Sequence, residues 1–216
     1  ASPWNSLSLT LILIARSGIW WTLAFIALSV VSALISGLIF EALTRAGILP
    51  ENPNTIDISD DYSATEDAKM RLKDTRYSPG LFAGMLKDGW MESKMVIRWI
   101  LFGLVLASLL RAFISPEDFE FLFGPTMTGL LLTLGFATIL EVCSEGTVPV
   151  AADIINRAGA PGNGFTFLMA GVATDYTEIM VLRDATKTWK IPLFLPLITV
   201  PQILLFGYLI NVFAVS

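Results

Sequence analysis

The chain has 216 residues, of which 54% are apolar and only 15% are charged, and its net charge is −5. Soluble domains average about 25% charged residues, so this composition excludes an ordinary soluble domain, and the acidic balance argues against nucleic acid as a partner. The chain has no histidine and one cysteine. We therefore expect no histidine-ligated metal site, no intrachain disulfide and no cofactor.

Four stretches are apolar enough to cross a lipid bilayer. Three contain no aspartate, glutamate, lysine or arginine, and the fourth carries arginines only near its ends, where long side chains reach the interface. Each has roughly the 20 residues that a helix needs to cross a hydrocarbon core of about 30 Å. These stretches are apolar all round, unlike the amphipathic helices of a soluble bundle. The sequence predicts an all-α, polytopic membrane protein with spans at 17–40, 95–115, 121–140 and 191–216.

The polar stretch from residue 50 to about residue 90 is predicted to be a solvated loop. We expect it to contain one short helix over 64–73, started by Ser63 or Thr65. Basic residues gather in this loop and at 183–190, whereas the connection 115–120 is acidic. By the positive-inside tendency the two basic regions are cytoplasmic and the acidic turn is outside. We expect a multi-pass protein of the cell membrane, plasma or inner.

The region 141–184 is too polar and too interrupted for plain spans. Gly146 and Pro149 are expected to interrupt any helix that continues from 121–140. A new helix is predicted from Thr147 or Val148, either of which can cap it, to Arg157. It would end at the glycine- and proline-rich turn 159–164.

A second interruption is predicted at 171–174, after the apolar run 164–170. Asp175-Tyr-Thr-Glu178 is typical of a helix start, with an aspartate at the N-cap and a glutamate at N3, and predicts a helix to about Asp184. Helices broken inside a membrane need the freed backbone to line protein or a cavity. Their N-termini, near 148 and 175, would direct free N–H groups and positive dipole ends into that cavity.

Cys143 directly precedes the first of these helix starts, a position that lowers the pKa of a thiol and favours the thiolate. Carboxylates within a membrane are functional candidates, because each is unfavourable unless protonated, paired or hydrated. Structural roles remain open for all of these residues. Cys143 can be a small buried hydrophobe, Glu141 and Glu145 can mark the end of a span, and Asp175 can be a cap. Asp153 is spaced to form a helical ion pair with Arg157.

A weak internal repeat relates the two ends of the chain. Residues 1–13 can be laid over residues 170–182, with Trp20 then matching Trp189 and Phe25 matching Phe194. The two segments would have opposite membrane orientations, as an inverted-repeat transporter requires. The partner of 121–169 would then lie upstream of residue 1, so we expect either a missing N-terminal half or a second copy that completes the site. The predicted divisions are the end of a first repeat with one span (1–49), a cytoplasmic loop (50–92) and a second repeat (93–216).

Three motifs resemble the predicted-permease family that includes the bacterial organoarsenical efflux permeases. They are Glu-Val-Cys-Ser-Glu-Gly-Thr-Val-Pro at 141–149, Arg-Ala-Gly-Ala-Pro-Gly-Asn-Gly at 157–164 and Phe-Leu-Met-Ala-Gly at 167–171. The opening Ala-Ser-Pro-Trp-Asn5 is similar to the Ser-Pro-x-x-Asn element of the family's first half. The resemblance implies a permease with two related halves that exports its solute, in which thiols handle trivalent arsenic. Family members often carry more than one cysteine in such elements, and here Cys143 stands alone.

The leading hypothesis is a permease that exports a small, thiophilic, organoarsenical-like solute through a cavity lined by broken helices. One alternative is an accessory subunit of a membrane complex that does not itself transport. An intramembrane aspartyl enzyme would need Asp153 and Asp175 to converge on one water, but the chain lacks a Gly-x-Gly-Asp signature, so we expect no enzyme. The candidate solute-binding residues are Cys143, Ser144, Thr147, Thr174, Asp175 and Asn5, and the candidate proton-coupling residues are Glu141, Glu145 and Asp153.

Overall fold

The computed structural model describes residues 7–50, 63–74, 79–140 and 144–215, and these residues form helices and turns without a strand. The all-α prediction is therefore confirmed. The helices, in chain order, are α1 (Leu7–Ser17), α2 (Ile19–Arg45), α3 (Ala64–Asp74), α4 (Pro79–Phe113), α5 (Pro116–Phe123), α6 (Met127–Leu140), α7 (Ser144–Arg157), α8 (Pro161–Ala173), α9 (Tyr176–Thr186) and α10 (Lys190–Val215).

The chain divides into two compact units, one of Asn52–Arg98 and the other of Ala1–Glu51 with Trp99–Ser216. In the smaller unit, the short helix predicted within the polar stretch is present as α3. The Oγ of Ser63 accepts a hydrogen bond from the backbone N–H of Glu66 at 3.4 Å, so Ser63 starts this helix. The predicted loop was too long, because α4 already begins at Pro79, where proline's fixed φ suits a first helical turn.

Three helical segments of the larger unit are long and apolar enough to cross a membrane: Ile19–Arg45, Pro161–Thr186 and Lys190–Ala214. The first and last confirm two predicted spans, and the chain is a polytopic membrane protein. The middle one joins α8 to α9 across Thr174 and Asp175, so it is an interrupted span, in agreement with the expectation that 141–184 holds no plain span. Ile100–Phe113 and Pro116–Phe123 are together also long and apolar enough for a span, although the two helices are bent by 116° relative to each other.

The predicted span 121–140 is wrong as a single helix. Its first residues end α5, a turn at Gly124 follows, and α6 has only 14 residues. At about 1.5 Å of rise per residue, a helix of that length covers only about 21 Å, which is short of a hydrocarbon core of about 30 Å. Pro125 follows Gly124 in the sequence, and the residue before a proline disfavours the α conformation.

A buried hairpin made of α7 and α8 lies at the centre of the larger unit. Every residue from 146 to 155 and from 160 to 171 is buried. The helices are joined by three residues, among which Gly159 has a φ of 59°, a conformation that glycine adopts without strain. α8 packs against α6, α7 and α10, while α1 packs against α7 and α2.

The predicted start of α7 was wrong by about one turn. α7 already includes Ser144, so Thr147 and Val148 lie inside the helix rather than capping it. Gly146 lies within α7 and does not interrupt it. Gly103 of α4 allows a close approach at this point, because a Cβ placed on Gly103 would lie 2.2 Å from the Gly146 carbonyl oxygen. The predicted end at Arg157 is confirmed.

Candidate functional site

A buried amide network fixes the closed end of the hairpin, which is the end where residues 158–160 join α7 to α8. The Nδ2 of Asn163 donates to the carbonyl oxygens of Phe123 and Gly124, both at 2.8 Å. The Nδ2 of Asn211 on α10 donates to Oδ1 of Asn163 at 2.7 Å, and Oδ1 of Asn211 accepts the backbone N–H of Gly162 at 2.8 Å. Buried polar groups are unfavourable unless they are satisfied, so this network holds the start of α8 to α10 and to the turn between α5 and α6.

Glycines let α8 and α10 approach almost backbone to backbone at the same place. A Cβ on Gly162 would lie 1.9 Å from the carbonyl oxygen of Gly207, and a Cβ on Gly207 would lie 2.3 Å from Oγ1 of Thr166. Small residues permit such close packing between membrane helices. The closed end of the hairpin is thus held both by hydrogen bonds and by shape.

Asp153 is buried on α7 and paired with two arginines. Its Oδ1 accepts from Nε of Arg111 at 2.8 Å and from the Arg111 NH2 group, while its Oδ2 accepts from Arg157 at 3.2 Å. The helical ion pair with Arg157 is therefore confirmed. The guanidinium of Arg157 also lies 4.3 Å from the ring centroid of Phe119, a cation–π distance. Asp153 thus ties α7 to the end of α4 and to α5.

The open end of the hairpin consists of the start of α7 and the end of α8. It brings together the two regions in which helix starts were predicted, near 148 and 175. A Cβ on Gly171 would be 3.5 Å from Cγ2 of the buried Thr147, so the start of α7 lies beside the end of α8. Oγ1 of Thr174 lies 3.0 Å from Oγ1 of Thr138 on α6 and donates to the Ala170 carbonyl at 2.8 Å. Thr138 of α6 thus contacts the residue that follows α8, and Thr147 of α7 lies beside the last turn of α8.

Asp175 begins α9 at this same end, as predicted. Its Oδ1 accepts the backbone N–H of Thr177 at 2.7 Å, which satisfies one of the free donors of a helix N-terminus. Thr174 and Asp175 together separate α8 from α9. The second predicted helix break is therefore confirmed, and it falls within the candidate span Pro161–Thr186.

A cavity of about 180 Å³ adjoins this break. α2, α8, α9 and α10 line it, and its walls combine apolar side chains with hydroxyl groups and one carboxylate. The lining residues are Ser29, Ser32, Ala33, Ser36, Met169, Val172, Ala173, Glu178, Leu195 and Thr199.

The polar wall of the cavity comes from an inverted pattern on α2. Its buried residues are Thr22, Phe25, Ser29, Ser32 and Ser36, whereas its exposed face carries leucine, isoleucine and valine. A soluble helix does the opposite and buries its apolar face. α2 therefore directs hydroxyl groups inwards and an apolar face outwards, as suits a helix between lipid and a polar cavity.

Gln202 on α10 connects the hydroxyl face of α2 to the neighbouring helix. Its Oε1 accepts from Oγ of Ser32 at 3.2 Å, and its Nε2 donates to Oγ of Ser36 at 3.0 Å and to the Ile198 carbonyl at 2.9 Å. Further towards the start of α2, the ring of Phe25 packs on that of Phe165, with centroids 5.5 Å apart. These contacts position α2 against α10 and α8.

The cavity lies at the middle of all three candidate spans. Ser32 is the central residue of Ile19–Arg45, Ala173 is at the centre of Pro161–Thr186, and Thr199 lies one turn before the centre of Lys190–Ala214. Transporters of the broken-helix type bind their solutes near the bilayer midplane, beside interrupted helices. The cavity and the break at 174–175 have this arrangement.

The predicted site residues fall into three groups. Cys143, Glu141 and Asn5 lie outside the described residues. Ser144 and Glu145 are in the first turn of α7, which places them at the open end of the hairpin with Thr147, Thr174 and Asp175. Asp153 faces α4 and α5 instead, and it shares no partner with Asp175 among the contacts of the described chain.

Sequence reasoning missed most of the cavity. The serines of α2 are unremarkable in an apolar run, and Glu178 was interpreted as a structural residue of a helix start. One signal was available: Ser29, Ser32 and Ser36 follow the spacing i, i+3, i+7, which puts them on one helical face. Gln202 within the last apolar span was a second, because an intramembrane amide needs a partner.

One family model, ArsP_1, described as a predicted permease, matches residues 1–212 of the chain. No curated protein and no solved structure matches.

Proposed function

This chain belongs to the ArsP_1 family of predicted permeases, and we propose that it exports a small solute from the cell through the cavity between α2, α8, α9 and α10. One observation carries the proposal: a cavity whose mainly apolar wall includes four hydroxyl groups and one carboxylate lies at the middle of three candidate spans, beside the helix break at Thr174 and Asp175. A volume of about 180 Å³ suits a solute of a few heavy atoms or several waters, since a water occupies about 30 Å³ in the liquid.

The solute that we propose is thiophilic and organoarsenical-like, with Cys143 as its thiol ligand. The hairpin supports this, because α7 and α8 run antiparallel and Thr147 lies beside Gly171. The first turn of α7, which begins at Ser144, therefore lies on the side of the break at 174–175. In this proposal Ser144, Thr147, Thr174 and Asp175 assist Cys143, and Asn5 contributes from the related first half.

Export against a gradient needs a coupled ion, and we propose a proton carried by Glu141, Glu145 or Asp153. Asp153 differs from the two glutamates in having defined partners, since it accepts from two guanidinium groups. Proton transfer through Asp153 would require one arginine to move away first. The internal repeat adds a further element to the proposal, in which an inverted N-terminal half or a second copy completes the pathway in the cell membrane.

A size test on α2 distinguishes transport through the cavity from other roles. Ala33 and Ala27 are both exposed on α2, but only Ala33 is among the residues that line the cavity. In cells that lack other arsenic exporters, Ala33→Phe should abolish export of a trivalent organoarsenical, and Ala27→Phe should leave it unchanged. Arsenic accumulation and the amount of protein in the membrane are the readouts. Equal export by both variants would contradict transport through this cavity, and absence of export by the unmodified protein would favour an accessory subunit.

The thiol is tested separately with Cys143→Ser, which keeps size and hydrogen bonding but removes the soft ligand. Export of the trivalent arsenical should fall at least tenfold while the protein stays in the membrane. Full export by Cys143→Ser would rule out the thiol mechanism but leave the cavity pathway intact.

A further inference from the structure

The hydroxyl groups that line the cavity are mostly committed as donors to other protein groups. Ser29 Oγ donates to the Ile26 carbonyl at 2.8 Å, Thr199 Oγ1 donates to the Leu195 carbonyl at 2.8 Å, and Ser32 Oγ donates to Gln202 Oε1. A hydroxyl has one proton to donate and two lone pairs to accept with. With their protons used, Ser32 and Thr199 offer the cavity only oxygen lone pairs. Ser36 differs, since it accepts from Gln202 and retains its proton.

Glu178 is the ionisable residue of the cavity lining. It stands at the third position of α9, where a glutamate commonly bonds back to the backbone of the N-cap residue. Here Asp175 accepts from Thr177, and no contact within the described part of the chain joins Glu178 to a lysine or an arginine. Glu178 is exposed on the described chain, and within a membrane such a carboxylate is unfavourable unless it is protonated, paired or hydrated.

The other charged groups on the lining helices are paired or directed elsewhere. α8 has no ionisable side chain, and Lys190 of α10 directs its Nζ to the Ile48 carbonyl at 3.5 Å. On α2, Arg45 is paired with Glu41, and on α9 Arg183 lies 3.7 Å from Asp184. Among the residues that the structure describes, no cationic side chain lines the cavity to compensate Glu178.

We propose that the cavity is a cation site, in which Glu178 supplies the negative charge and the hydroxyl oxygens of Ser32 and Thr199 add neutral acceptors. The bound cation is either a proton on the carboxylate or a monovalent metal ion that lies beside it and keeps some of its waters. Hard cations such as these take oxygen ligands, and the cavity has room for an ion with several waters. Binding needs only the cavity, whereas a role of this cation in driving export rests on the proposed function.

The test measures binding rather than transport. Purified protein in lipid nanodiscs is unfolded thermally in sodium, potassium or choline chloride at equal ionic strength, and at a series of pH values. A ligand that binds the folded state raises its stability with concentration. We expect a rise of about 3–5 °C in Tm for each tenfold increase in the bound cation above its Kd. A rise with one metal salt at fixed pH identifies a metal ion, and a rise with falling pH in every salt identifies a proton.

Two pairs of variants assign the response to Glu178 and the cavity. Glu178→Gln should abolish it, while Asp184→Asn, on the same helix but outside the cavity, should retain it. Thr199→Val should weaken it about tenfold, whereas Thr133→Val, buried on α6 away from the cavity, should not. If Glu178→Gln does not fold, the Thr199 and Thr133 pair decides.

An identical response in all variants, or none in the unmodified protein, would overturn the cation site. A Glu178-dependent response in a protein that exports nothing would leave the cation site standing and remove the proposed function.

Discussion

Nε of Arg111 donates to Oδ1 of Asp153 at 2.8 Å and so joins the last turn of α4 to α7 across 42 positions of sequence. The carboxylate is fully buried, and Arg157 occupies its second oxygen. The arginines differ in setting, since the Arg111 side chain is 50% exposed and that of Arg157 only 20%. Removal of Asp153 would therefore be more unfavourable for the charge of Arg157, which is more buried, than for the charge of Arg111.

We expect Asp153→Ala to lower the free energy of unfolding by about 3 kcal/mol. This is the lower end of the range for breaking a buried ion pair, because Arg111 reaches solvent. The matched control is Glu120→Ala, an exposed position on α5, which should change stability by less than about 0.5 kcal/mol. Thermal unfolding in detergent measures both variants, and equal midpoints would show that the pair is not stabilising.

The amide pair Asn163 and Asn211 should behave as one unit. Each single change to alanine leaves buried partners unsatisfied, at a cost of about 1–3 kcal/mol for each lost partner. In the double variant the two losses overlap, so we expect its destabilisation to be smaller than the sum of the singles by about 1–2 kcal/mol. A double-mutant cycle measures this, and strict additivity would contradict direct coupling.

A methyl group at Gly162 should disrupt the packing of α8 on α10. Its Cβ would lie 1.9 Å from the Gly207 carbonyl oxygen, so the two backbones must separate. The control is Gly135→Ala on α6, where a Cβ meets nothing within 4 Å and where alanine favours the helix by about 1 kcal/mol. We expect loss of folded protein for Gly162→Ala and a slight gain in stability for Gly135→Ala, as measured by size-exclusion profile and melting temperature. Comparable behaviour of the two variants would argue against the close approach.

The membrane orientation remains a prediction from charge alone. In a Cys143→Ala background, Thr65→Cys on α3 should react with an impermeant maleimide only after the cells are opened. Glu117→Cys on α5 should react in intact cells. The reverse pattern would place the basic loop outside and would turn the proposed export direction around.

The sequence was sufficient to predict those structural features that depend on a single segment of the chain. Uninterrupted apolar runs predicted α2 and α10, and Asp175 predicted the start of α9. The i to i+4 spacing predicted the pair of Asp153 with Arg157, since both residues lie on one helix. These features depend on neighbours in the chain, which the sequence displays directly.

Features that depend on tertiary contact could not be predicted in this way. Gly146 was interpreted as an interruption, but it lies inside α7 and its backbone approaches Gly103 of α4, a residue far away in sequence. Asn163 and Asn211, 48 residues apart, gave no local signal of their bond. The cavity needs four helices, and no one of them is unusual enough alone to indicate it.

The Gln202 bridge has a consequence for movement. The hairpin is held by buried side chains, by hydrogen-bonded amide groups and by close contacts at glycines, and water does not reach these buried contacts. Gln202 instead holds α2 to α10 through serine hydroxyl groups beside a cavity, and water entering the cavity can replace those hydrogen bonds one for one. The boundary between α2 and α10 should therefore open with less loss of stability than the contacts that hold the hairpin. A transport cycle that uses it would swing α2 while the hairpin stays still.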